Sequence, residues 1–252
     1  MCTVTITPLK GGKSFVLTSN RDEAPGRETL PPKVYEINGL KMAFPRDVLA
    51  GGTWLGVSER KRIICLLNGE FKKHVRKLPY AKSRGVVVKD LLAAENFNNA
   101  ADAYDLSEVE PFTIVAADWQ QDLFFAEFVW DGSNKHYKEL PQKSHIWSSS
   151  PLYSPEMKRL REEWFAQLQK ENELTPEALL EFHLSAGKGD FDTGVIMDRG
   201  FVKTVSVSQV VFSKGRVEFY YRDLSTGEES EIDDLRICQT CQANLSSSAG
   251  LR

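Results

Sequence analysis

The order of strand-forming and helix-forming segments restricts the fold of this chain more than any other feature. Period-two alternation of apolar and polar residues marks residues 2–7 and 14–19, with Gly11-Gly12 between them, which predicts a hairpin. An irregular loop is expected through Pro25-Gly26 and Pro31-Pro32, then short strands at 34–37 and 41–44 and a second hairpin built from 51–57 and 63–68. Helices are predicted over 83–94, with Val87, Val88, Leu91 and Leu92 on one face, and over 98–104. A middle group of strands follows at 112–117, 123–130, 135–140 and 144–149, with Asp131-Gly132 as a turn. Ser154-Pro155-Glu156 opens a long helix to about Lys170, and Thr175-Pro176-Glu177 opens another, because a capping hydroxyl followed by proline is a strong helix start. A last hairpin, 204–212 and 216–222, turns at Lys214-Gly215. Three strand groups separated by helices are satisfied by two sheets covered by helices, an α+β architecture.

With 252 residues, of which 41% are hydrophobic, the chain can bury a full core. One domain over residues 1–236 is expected, with a flexible tail at 237–252. A net charge of −3 supplies no basic field, so nucleic acid is not an expected partner. No stretch approaches the roughly 20 apolar residues needed to cross a bilayer, and no basic-then-apolar leader is present, so a cytoplasmic protein without a membrane span is expected. Cys2, Cys65, Cys238 and Cys241 are too few for a disulfide scaffold. Cys238-x-x-Cys241 lacks a second pair, and His74, His136, His145 and His183 stand at no metal-ligand spacing, so neither a metal site nor a required cofactor is expected. Oligomeric state has no signature in this sequence.

Chemistry concentrates near the beginning. Removal of Met1, which a small second residue permits, leaves Cys2 with a thiol and a free α-amine, a nucleophile and a base on one residue. The competing reading is a small apolar residue opening a strand. A hairpin places the end of the second strand beside the start of the first, which brings Arg21 and Asp22 close to Cys2. Asn68 before Gly69 reads either as a turn or as an amide aimed at a reacting carbonyl. Trp54, set between close-approach glycines, reads as core or as the wall of a pocket. The basic run 72–77 reads as a solvated loop or as a partner for an anionic substrate.

Met1-Cys2-Thr3, Thr18-Ser19-Asn20-Arg21-Asp22-Glu23, Pro45-Arg46-Asp47, Gly51-Gly52-Thr53-Trp54-Leu55-Gly56 and Leu67-Asn68 together resemble the NRDE-motif family, also called the transport and Golgi organisation protein 2 family. Ser83-Arg84-Gly85 and the segment from Trp147 to Leu152 extend the resemblance over most of the chain. It implies an N-terminal-nucleophile hydrolase fold, a four-layer αββα sandwich. The opening is also similar to choloylglycine hydrolases and acid-ceramidase-like amidases. Carried over, that similarity implies Cys2 as nucleophile, Asp22 holding its amine, Arg21 favouring the thiolate and Asn68 donating to the oxyanion, with Asn20, Trp54 and Ser149 around the substrate. Three departures stand out. Arg21 and Asp22 are adjacent where the amidases space their pair, Ser149 replaces a second oxyanion asparagine, and the only basic residue in 203–212 is Lys203 where the amidases have a late arginine. Two functions are therefore expected as alternatives: an N-terminal cysteine amidohydrolase acting on a small or lipid-like amide, or a carrier on the same fold that binds or traffics haem or acyl-coenzyme A without turning it over.

Overall fold

A computed structural model describes residues 3–74 and 80–233. Cys2, Cys238, Cys241 and the expected tail lie outside the described residues. The strands are β1 (Thr3–Pro8), β2 (Phe15–Glu23), β3 (Thr29–Ile37), β4 (Leu40–Asp47), β5 (Leu55–Ser58), β6 (Arg62–Asn68), β7 (Phe112–Asp118), β8 (Phe124–Trp130), β9 (Lys135–Leu140), β10 (His145–Ser148), β11 (Lys203–Ser213), β12 (Arg216–Asp223) and β13 (Glu229–Ile232). The helices are α1 (Arg84–Ala93), α2 (Phe97–Ala103), α3 (Pro155–Glu171) and α4 (Pro176–Ser185). Two antiparallel sheets result, one ordered β10-β1-β2-β11-β12-β13 and the other β3-β4-β5-β6-β7-β8-β9.

The inner faces of the sheets pack on each other through aromatic side chains. Phe15 of β2 meets Trp119 and Phe125 edge-on at 5.3 and 5.8 Å between ring centroids, and Phe212 of β11 joins the same cluster. Because β2 also carries a helix layer on its other face, nearly its whole length is buried. Val16 on that outer face packs with Phe165 of α3 and with Leu179 and Phe182 of α4. On the other side, Val87, Val88, Leu91 and Leu92 of α1 enter the core with β5 and β6. The layers are helix, sheet, sheet, helix, so the expected four-layer sandwich is the one the chain forms. Both proline-led helices start as their sequences require: the Ser154 hydroxyl accepts from the Met157 N–H, and the Thr175 hydroxyl from the Ala178 N–H.

Two segments differ from expectation. Pro31-Pro32 does not form a loop but lies inside β3, where the register slips between Leu30 and Lys33. Proline lacks an N–H and cannot join a ladder on both sides, so it is tolerated here because β3 is an edge strand with a local irregularity. β13 is a further strand, hidden in the sequence because Glu229-Ser230-Glu231-Ile232 is polar, as an edge strand often is.

Arg62 shows how helix and sheet are joined. Fully buried, it donates to Asp118 at 2.7 Å and to the carbonyls of Leu91 and Ala94 at 2.8 and 2.7 Å, which otherwise lack partners at the end of α1. Lysine keeps the charge but not the fork. Arg62→Lys is accordingly expected to lower unfolding free energy by on the order of 2 kcal/mol in urea titration; a change below about 0.5 kcal/mol contradicts the role assigned to the fork.

Candidate active site

The sheets are joined at the end where β1 begins. Thr3 lies opposite Asn20 of β2 and opposite Ser148 of β10. From the facing sheet, β6 ends at Asn68, whose backbone carbonyl accepts a hydrogen bond from the Ser149 hydroxyl at 2.7 Å. Next to this seam is a cavity of about 410 Å³ whose wall includes Arg21, Asp22, Trp54 and Asn68, four of the expected site residues. A neighbouring cavity of about 210 Å³ shares Asn68 and includes Ser149.

Arg21 and Asp22 are adjacent on a strand and so face opposite ways. Arg21 points toward the second sheet. Its guanidinium donates to Asp47 and to Thr29, each at 2.6 Å, and sits 4.3 Å from the centroid of the Trp54 ring. Burial pulls its proton affinity down, while the Glu23 and Asp47 carboxylates oppose that. Burial also pushes the Asp47 carboxyl up, but the Ala50 N–H and the Arg27 and Arg21 guanidinium groups outweigh it and hold the carboxyl below its ordinary range. Arg21 is thereby tied into a structural ion cluster with Arg27 and Asp47 on the cavity wall.

Asp22 faces the helix side. Its carboxylate accepts from the Tyr153 hydroxyl at 2.5 Å and from the Thr204 hydroxyl at 2.6 Å, and it is 2% exposed. Neither Tyr153 nor Thr204 was singled out by the sequence, and no local pattern marks them, since both reach Asp22 from more than a hundred residues away.

Asn68 occupies the end of β6, paired with Phe112. The turn that follows takes its positive φ at Gly69, +81°, where a Cβ would also lie 2.4 Å from Pro151; Asn68 itself is not in the left-handed region. The backbone therefore does not demand asparagine. Among the described residues none hydrogen-bonds its side-chain amide, which leaves both amide hydrogens available in the cavity.

Asn20 and Ser149 differ from expectation. Asn20 is fully buried on the helix side, where its amide nitrogen donates to the His183 carbonyl at 2.8 Å and its oxygen faces His183 Nδ1. It does not line the cavity. Ser149 spends its proton on the Asn68 carbonyl, so it positions the β6 end.

The opposite wall comes from the start of α1. Gly52 and Gly85 meet backbone to backbone: a Cβ on Gly52 would lie 2.8 Å from the Gly85 carbonyl carbon, while Gly51 before it takes a positive φ of +64°. Arg84 and His74 share the Glu110 carboxylate, each at 3.3 Å. Charge of both signs, from Arg84 and Glu110, thus lines the cavity. Cys65 is fully buried, and burial pushes its thiol up to about 12, so it is inert at neutral pH. Among the described residues, no group of three or more His, Cys, Asp and Glu side chains is placed to hold a metal ion, and no helix is long and apolar enough to cross a membrane.

Facing antiparallel sheets between helical layers, with a cavity beside the seam between them, define the N-terminal-nucleophile hydrolase fold. Solved structures with this architecture superpose on the chain. They include a Caenorhabditis elegans ortholog of N-acylethanolamine-hydrolyzing acid amidase, 14% identical, with 82% of this chain and 92% of that one covered at a TM-score of 0.57. Penicillin V acylase from Agrobacterium tumefaciens is 12% identical, with 92% and 86% covered and a TM-score of 0.55. A variant of conjugated bile acid hydrolase from Clostridium perfringens is 12% identical, with 92% of each covered and a TM-score of 0.52. At these identities the likeness establishes the fold. The chain belongs to the Transport and Golgi organisation 2 family, whose sequence profile matches residues 1–190. No curated protein sequence matches it.

Proposed function

We propose that the protein is an N-terminal cysteine amidohydrolase that cleaves the carbon–nitrogen bond of a small or lipid-like amide, with Cys2 as nucleophile once Met1 is removed. The observation that carries this reading is the convergence on one cavity of Asp22 and of Asn68, whose side-chain amide no described residue hydrogen-bonds, at the end of the sheets where Thr3, the residue bonded to Cys2, begins β1. The three neighbours described above are named as an acid amidase, an acylase and a hydrolase, which supports the same class of chemistry here.

In this mechanism the α-amine takes the thiol proton and the sulfur attacks the amide carbon. The carbonyl oxygen gains charge, and the Asn68 amide donates to it more strongly as it does so. Collapse breaks the carbon–nitrogen bond, and the α-ammonium returns its proton to the leaving amine. Water then hydrolyses the thioester to a carboxylic acid and restores Cys2. Asp22 accepts from two hydroxyls, which hold its carboxylate in one orientation for the role of holding the amine. Arg21 contributes by holding the wall through Asp47 and Trp54.

The test is intact-mass and peptide analysis of the protein from its natural host, before and after incubation with a panel of N-acyl amides at low pH to slow deacylation. Cys2 is expected as the first residue, with a transient acyl adduct there and none on Cys65. Haem and an acyl-coenzyme A are titrated in parallel. Retained Met1, or saturable ligand binding with neither adduct nor turnover, overturns the hydrolase and favours the carrier.

A further inference from the structure

Arg161, in the middle of α3, is a fully buried cation that the reaction does not use directly. Its donors go to uncharged acceptors: Nε to the Thr193 carbonyl at 2.9 Å, one terminal nitrogen to the Gly194 carbonyl at 2.5 Å, and the other to the Thr3 hydroxyl at 2.6 Å. The planar group lies 3.7 Å from the centroid of the Tyr153 ring. Among the described residues its hydrogen bonds all go to neutral groups, with the Asp190 carboxylate interacting only through space; such a buried charge is costly, and an apolar side chain of similar volume is usually at least as stabilising. Its contacts therefore call for an explanation other than stability.

Those contacts span the two parts of the proposed reaction. On one side Arg161 grips Thr3, one peptide bond from Cys2. On the other it faces the ring of Tyr153, whose hydroxyl donates to Asp22. Thr204 completes the arrangement: its oxygen accepts from the Met197 N–H at 3.0 Å, and its single proton points to Asp22 at 2.6 Å in preference to the Val195 carbonyl at 3.2 Å. β1 and β2 are thus braced against each other, at the point where an amine and a carboxylate must meet, by groups from α3, from the segment before it and from β11.

We propose that Arg161 and Tyr153 are positioning residues that fix the N-terminal residue relative to Asp22. This rests on the hydrolase reading. The alternative is that Arg161 only ties α3 to the loop at 193–194. Tyr153→Phe separates the two, because it keeps the ring under Arg161 and removes only the hydroxyl. On an amide that the wild type turns over, its kcat is expected to fall roughly 10- to 100-fold, the scale of a lost hydrogen bond to a charged group, with KM within about twofold. Arg161→Met is expected to lose at least as much, and Arg161→Lys to recover part of it. Thr204→Val, which removes the other hydroxyl, is expected to behave like Tyr153→Phe and stands in for it if that variant does not fold. Melting temperatures are measured on every variant. Lower melting temperatures with kcat of the folded fraction and KM unchanged overturn the positioning role and leave the hydrolase standing. A wild type with neither turnover nor a Cys2 adduct overturns both.

Discussion

Asn68→Ala is expected to lower kcat by about 10²- to 10³-fold, the effect of deleting one preorganised oxyanion donor, with KM changed by no more than about threefold. Such an effect is separable from misfolding because of how the residue is held. Ser149 bonds the Asn68 backbone carbonyl, and the pairing with Phe112 is also backbone, so neither depends on the side chain. Positive φ belongs to Gly69, so alanine meets no strain at position 68. Asn68→Asp sharpens the result. Its shape is nearly that of asparagine, yet an ionised carboxylate cannot donate and repels a developing oxyanion, so its loss should equal or exceed that of alanine. Turnover close to wild type in both variants removes Asn68 from the oxyanion site.

Much of this site was legible in the sequence because it sits at strand ends. Alternation marks β1 and β2, a continuous apolar run marks β6, and hairpin geometry then places Thr3 beside the Asn20 to Asp22 segment. The same period-two logic separates Arg21 from Asp22, and the structure bears this out: one meets Asp47 and Trp54, the other Tyr153 and Thr204. What periodicity cannot supply is the neighbour across the layer. Asn20 shares its face with Asp22, yet it is covered by α4, and nothing local distinguishes a face covered by His183 from one open to a ligand. Tyr153 and Arg161 were hidden for the same reason, since their partners come from β1 and β2 at the far end of the chain. Pro31-Pro32 misled in the opposite direction: local chemistry favours a loop, but an edge strand with a register slip accommodates both rings.

Acid is expected to destabilise the fold through His183. The carbonyl of His183 can only accept, so the Asn20 amide nitrogen must face it, which leaves the Asn20 oxygen for Nδ1. An oxygen there requires a proton on Nδ1. Nε2 then carries a lone pair and accepts from the Thr5 hydroxyl at 2.8 Å. Neutral imidazole satisfies every partner in the pocket, whereas imidazolium forces the Thr5 hydroxyl to turn and accept, and places a second buried charge near the Arg161 guanidinium. Burial, with the nearby Arg161 guanidinium, lowers the His183 pKa from 6.5 to about 3. Since the folded value is the depressed one, the unfolded chain binds the proton first. The contribution is complete above about pH 6.5 and is lost as pH falls toward 3. At about 1.4 kcal/mol for each tenfold change in proton affinity, the whole interval is worth on the order of 5 kcal/mol, and full burial leaves little solvent screening to reduce it. Urea unfolding at pH 7.5, 6, 5 and 4 (~0.1 M salt) is the measurement. His183→Gln is expected to be less stable than wild type at pH 7.5, because it cannot reproduce both ring contacts, but to lose less stability on acidification. The difference between the two proteins should therefore shrink by about 1 kcal/mol or more for each pH unit below 6. Parallel curves for the two proteins would exclude His183 as the source of acid sensitivity.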